Sequence, residues 1–242
     1  MRHLVFAFGC AATSAAAEVP QVAVDIAPVH SIVAAVMGDL GSPALVVPPG
    51  ASPHDHALRP SEARSLNNAD IVIWMGPQLA PWLARPIESL AGQATVIDLL
   101  AHPATEVLDI RSGATFGAHD HDHGHKDDDA HDHDAHDHDA GHDDDDGHGH
   151  DDHADAHSHE PGSAVDPHAW LDPVNAMAWA SAIGDVLAVA DPENATTYAA
   201  NSEQFSQKIK AVQGEIETIL EPVKGRSIVV FHDADHYFEH RF

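Results

Sequence analysis

The sequence predicts an α/β protein: a parallel sheet with flanking helices, then a long linking helix and the start of a second α/β lobe. Three observations carry this. Short apolar runs alternate with helical segments through residues 21–100, one apolar stripe continues from Tyr198 to Ile219, and a further strand-like run follows at 226–231. Strands separated by short helices are the signature of crossover connections in a parallel sheet, with helices laid on its faces.

In order, QVAVDI (21–26) reads as a strand and PVHSIVAAVMGDL (28–40) as a helix with apolar residues at helical spacing. ALVVPP (44–49) is a short strand running into a Pro/Gly turn, and SEARSLNNA (61–69) opens as a helix start should, with Ser followed by Glu. ADIVIWMG (69–76) is a buried-type strand, APWLARPIESLAG (80–92) a helix and TVIDLL (95–100) a fourth strand. After an Asp/His-rich interruption, AVDPHAWLDP (164–173) leads into a helix over 174–190, and DPENATTY (191–198) begins the long one. Its apolar positions Tyr198, Phe205, Ile209, Val212, Ile216 and Ile219 keep to one face, as expected of a strut between two bodies. RSIVVF (226–231) is predicted as a strand that places His232 at its carboxyl end. One strand and a helical stub cannot bury their own faces. The chain is therefore expected to stop early in its second lobe.

Domain boundaries follow from these elements: an exported leader over 1–17, an N-terminal lobe over 18–118 and 161–190, a His/Asp-rich loop over 119–160, the linking helix over 191–222 and the second lobe from 223 to 242. The leader has a basic start, an apolar run from Leu4 to Ala12 and three small residues before Glu18, which together make a secretory signal peptide and a periplasmic location. That run is too short to serve as a permanent anchor, and no other stretch is expected to be long and apolar enough to cross a membrane. The one cysteine, Cys10, lies inside the leader. The exported protein would then lack cysteine, and any metal must be held by His, Asp or Glu.

Charge narrows the partners. Eleven basic against 39 acidic side chains leave a formal net charge of −28, which repels phosphate backbones and excludes nucleic acid as a partner. Residues 119–159 alone hold 14 His and 16 Asp with a single Lys. With no apolar residue larger than Ala, this run cannot bury a core and is expected to be a disordered surface insertion. Its histidines, His119, His121, His123, His125, His131, His133, His136, His138, His142, His148, His150, His153, His157 and His159, are candidates for auxiliary, low-affinity metal binding. Ordering such a chain around an ion costs roughly 1–2 kcal/mol per residue, so a site built elsewhere from better-placed residues should be tighter.

Three histidines outside the run stand where such a site would form. His54 lies in PPGASPHDHALRPSEA after the second strand, His168 in DPHAWLDP directly after the insertion, and His232 in VVFHDA. Ligands of open α/β sheets bind at the carboxyl ends of the strands. Three imidazoles converging there would suit zinc, with a fourth position for water or a carboxylate. His56 is expected to line the site entrance, His30 to cap or pack at a helix start, and His102, His236 and His240 to be exposed.

These segments, taken together and in this order, resemble the zinc-specific substrate-binding proteins of bacterial ABC transporters. DPHAWLDP and FHDA carry the resemblance most specifically, with DPENATTYAANSEQF and YFE beside them. It implies two lobes joined by a rigid long helix, zinc held between them by the residues matching His54, His168 and His232, and delivery of that zinc by a monomer to an inner-membrane permease. The chain departs from the pattern FHDAYxYFE by Asp235 in place of the tyrosine. Relatives selective for manganese or iron carry carboxylates at one or more of the three positions; here all three are His.

Other readings make distinct expectations. A periplasmic metal buffer would act through the run itself and bind nothing tightly without it. A zinc protease would use His232 and His236 as an H-x-x-x-H pair on one helical face. A metal-binding adhesin shares the resemblance. The reading preferred is a receptor that captures Zn²⁺ and catalyses no reaction.

Overall fold

The computed structural model describes residues 18–111 and 165–242; the leader and the His/Asp-rich run lie outside the described residues. Four strands, β1 (Val22–Val24), β2 (Ala44–Leu45), β3 (Ile71–Trp74) and β4 (Thr95–Asp98), form one parallel sheet in the order β2-β1-β3-β4. Between them run α1 (Ala27–Met37), α2 (Pro60–Asn67) and α3 (Ala84–Leu90); α4 (Pro173–Ala190), α5 (Ala195–Leu220) and α6 (His236–Arg241) follow.

The central strands β1 and β3 are buried on both faces, which is why they are nearly continuous in apolar residues. Alternation assigns the faces. Val22, Val24, Ile71 and Ile73 pack with Val29, Val33, Trp179, Ile183 and Tyr198 of α1, α4 and α5. Ala23, Val72 and Trp74 turn the other way onto Leu66, Leu83 and Ile87 from the α2 and α3 side. Each fully buried Leu or Ile contributes about 1.5–3 kcal/mol relative to exposure.

α4 corrects one expectation. It is long and apolar enough, by length and composition alone, to cross a membrane. Here it is a core helix: Trp179, Ala180, Ile183 and Leu187 are fully buried, packed against α1 and α5. Its start is set by Pro173 in the first turn and by Asp172, whose side chain accepts from Val174 N at 2.8 Å. The α4–α5 crossing is close because Gly184 faces Ser202. A Cβ there would stand 2.5 Å from Ser202 Oγ, which instead donates to Ala180 O at 2.9 Å.

α5 has 26 residues and is about 39 Å long at 1.5 Å per residue. Only its first turns are in the core: Tyr198 and Ser202 are buried, whereas Val212 and Ile219 of the expected stripe are 48 % and 71 % exposed. At its entry Tyr198 Oη donates to the buried Asp191 carboxylate at 2.8 Å, and Asn194 Nδ2 does so at 2.7 Å.

The strand expected at 226–231 does not form. A strand needs a partner for its N–H and C=O groups, and among the described residues this segment pairs with none; Val229 and Phe231 are fully exposed. The chain then turns back, and α6 packs beside Ala169–Leu171. Tyr237 is buried, Arg241 pairs with Asp172 and Glu106, and Arg111 pairs with Asp233 and Glu239. Arg111 holds the Asp233 carboxyl below its ordinary pKa. An antiparallel bridge between Asp109 and Val165, with Asp166 N donating to Leu108 O at 2.8 Å, brings together the chain on either side of the His/Asp-rich run.

Candidate metal centre

Each of the three histidines is brought in by a different local device. His54 sits on the proline-rich turn after β2. The turn is fastened by Trp82 Nε1 donating to Pro53 O at 2.7 Å. Just beyond it, Glu62 in the first turn of α2 reaches back to accept from Arg59 N at 2.7 Å and holds His56 Nε2 at 2.9 Å. His56 also lies edge-on to Trp82 with centroids 5.3 Å apart, so its ring is committed to Glu62 and Trp82 rather than to the cluster.

His168 follows the bridge residue Val165 and is 5 % exposed. Its backbone N–H donates to Asp166 Oδ1 at 2.9 Å, and its ring Nδ1 lies 2.7 Å from the same oxygen. A carboxylate only accepts, so Nδ1 donates, and in the neutral ring the lone pair is then on Nε2. Trp170 packs edge-on against the ring at 5.2 Å.

His232 corrects the sequence reading of its setting: it stands in a bend before α6, not at the end of a strand. It nonetheless arrives where expected. His54, His168 and His232 each offer a ring nitrogen, all within 4.8 Å of one another. Ring centroids are 5.0 Å apart for His168–His232, 5.6 Å for His54–His168 and 5.8 Å for His54–His232. The Nε2 atoms of His168 and His232 are 3.2 Å apart. Tetrahedral coordination at the usual Zn–N distance separates ligand nitrogens by roughly 3.3–3.4 Å, so this spacing fits zinc. Burial, and then the neighbouring His168 and His232, lower the His54 pKa despite the opposing backbone bond from Leu79. That favours the neutral, ligating ring.

The remaining histidines lie elsewhere. His30 Nε2 is 3.1 Å from Pro43 O, in keeping with a packed helix-start residue. His102 Nδ1 accepts from Ala104 N, and His240 is exposed. His236, expected to be exposed, is half-buried, with Nδ1 3.5 Å from Asp166 Oδ2. His236 opens α6 while His232 precedes it, so the two do not share a helical face as an H-x-x-x-H pair must. Asp166 and Tyr237 were not anticipated. Asp166 had a legible signal, since an Asp commonly caps the N–H two residues on; Tyr237 lies in the YFE segment, but nothing local ties its hydroxyl to Asp166.

A four-stranded parallel α/β unit thus gathers three imidazoles on its loops, an arrangement able to hold a divalent metal ion. The chain belongs to the ZnuA family, described as the periplasmic component A of the zinc-uptake complex, whose model matches residues 22–242. It is 45 % identical over 239 residues to the high-affinity zinc uptake system protein ZnuA of Paracoccus denitrificans, spanning 99 % of this chain and 69 % of that one. To the ZnuA of Brucella abortus (strain 2308) it is 38 % identical over 237 residues, 98 % of this chain and 69 % of that one. A crystal structure of ZnuA superposes with a TM-score of 0.65 at 20 % identity, covering 92 % of this chain and 68 % of that one, a likeness of fold.

Proposed function

We propose that this chain is the periplasmic receptor of a zinc-uptake system, capturing one Zn²⁺ through His54, His168 and His232 and passing it as a monomer to an inner-membrane ABC permease. The observation that carries the reading is the convergence of three ring nitrogens within 4.8 Å. An all-imidazole set suits Zn²⁺, whereas Mn²⁺ and Mg²⁺ sites are richer in carboxylate. The names of the relatives, zinc uptake proteins in Paracoccus and Brucella, support the same cargo. A fourth position is completed by water or a carboxylate. The ion is cargo, and no bond of a substrate is made or broken.

The histidines of the 119–159 run act beside this site as weaker, auxiliary ligands that gather metal. Competition of the full chain against a zinc chelator tests the assignment, because a strong chelator strips the weaker sites and leaves only the tight one. One tight zinc is expected in the wild type and none in His168→Ala. Retention of tight zinc by that variant would sink the assignment, and so would its loss on removing 119–159 alone.

A further inference from the structure

Asp166 stands where the His168 loop and α6 meet. One of its oxygens, Oδ1, receives both the backbone N–H and the Nδ1–H of His168. The other, Oδ2, is faced by His236 Nδ1 at 3.5 Å, a buried atom with no hydrogen-bond partner among the described residues. Its main-chain carbonyl accepts from Tyr237 Oη at 2.9 Å, and that hydroxyl in turn accepts from Leu108 N at 2.9 Å. Asp166 is 3 % exposed and Tyr237 1 %. The residue therefore meets the His168 loop through one oxygen, and α6, which follows His232 by four positions, through its other oxygen and its carbonyl.

From this we infer that Asp166 is the positioning residue of the zinc site and that Tyr237 is its anchor. The carboxylate fixes His168 in the Nδ1–H tautomer with Nε2 free for the ion. Docking of α6 on the same residue sets how far His232 stands from His168. The reason is general: an imidazole ligand whose second nitrogen is held by a carboxylate has its tautomer and ring plane decided before metal arrives, and is a more basic ligand. Tyr237 acts one step further out, because its hydroxyl touches the backbone of Asp166 and not the carboxylate.

The inference rests on the zinc-receptor reading, and the experiment separates the two. In the full chain, zinc affinity is read by chelator competition for the wild type, Asp166→Asn, Asp166→Ala, Tyr237→Phe and His168→Ala. The His168 tautomer is read in metal-free protein from long-range proton–nitrogen correlation spectra. The wild type should show Nδ1–H. Asp166→Asn and Asp166→Ala should lower affinity about 10- to 100-fold and lose the single tautomer. Tyr237→Phe should keep the tautomer and lose less than about tenfold. Wild-type affinity in both Asp166 variants, with His168→Ala inactive, would overturn the positioning role alone. Tight binding by His168→Ala would overturn the zinc site with it. Should the Asp166 variants not fold, an Nε2–H tautomer at His168 in the wild type would by itself refute the proposal.

Discussion

His168 and His54 present the same imidazole to the same point from opposite surroundings. His168 is buried, with its ring fixed by Asp166 and backed by Trp170. His54 is exposed, on a turn that the Trp82 indole fastens one residue away at Pro53. One ring is preorganised by folding, so the ordering cost of using it as a zinc ligand would be met in advance. The other is carried by a surface turn, the kind of segment that tolerates small motions. In the receptor role proposed above, holding and then releasing the cargo would benefit from having one of each.

Deleting each ring gives the largest contrast. His168→Ala should lose tight zinc by orders of magnitude. It should also destabilise the metal-free fold by roughly 2–3 kcal/mol, because the buried Asp166 carboxylate loses its strongest donor. His54→Ala should weaken zinc as well but leave metal-free stability within about 0.5 kcal/mol. Paired urea titrations and chelator competition measure both, and equal destabilisation by the two variants would dissolve the contrast.

Loosening the exposed side should act more mildly. Trp82→Phe keeps an aromatic ring beside His56 but removes the donor to Pro53 O. The loss should be about 0.5–1.5 kcal/mol of stability and a few-fold of zinc affinity, with the His168 tautomer unmoved. An affinity unchanged by this substitution would mean that His54 is placed by something other than the turn's tether.

Acid offers a third handle. The folded pKa of His54 is depressed by partial desolvation of its ring within the cluster and by its two imidazole neighbours, so the unfolded chain takes up its proton first as pH falls. Stability of the metal-free protein should therefore decline on acidification, beginning near the ordinary histidine value of about 6.5 and continuing to the lower folded value. The decline should shrink in His54→Gln. Melting temperatures of both proteins between pH 7 and 5 would reveal a parallel course if His54 has no part in it.

The smallest effects belong to 226–231, which finds no strand partner among the described residues. Val229→Asp and Phe231→Ser change side chains that are 99 % and 108 % exposed, and stability should move by no more than about 0.5 kcal/mol. A loss above 1 kcal/mol on thermal melting would show that 226–231 is held by contacts of its own.

Local pattern explains why so much of the lobe was legible. The four strands, the three helices between them and α4 lie within a few residues of their expected bounds, because helix and strand periods and Pro or Asp caps are properties of neighbouring residues. The apolar run 226–231 reads locally as a strand for the same reason and fails, because strand formation needs a partner that periodicity cannot supply. α4 passes a hydropathy test for a membrane span because core helices and membrane helices obey the same composition rule. Its placement between α1 and α5 tells them apart.

The sequence by itself determined the class of the fold and singled out three histidines as candidate ligands, since element periods and residue types are written locally. The distances among those histidines, the tautomer of His168, the committed ring of His56 and the return of α6 were decided only in three dimensions. His232 and His168 are 64 positions apart, and Tyr237 and Asp166 are 71 apart. A hydrogen bond at such separation depends on how the whole chain packs, and no local stretch of residues encodes it.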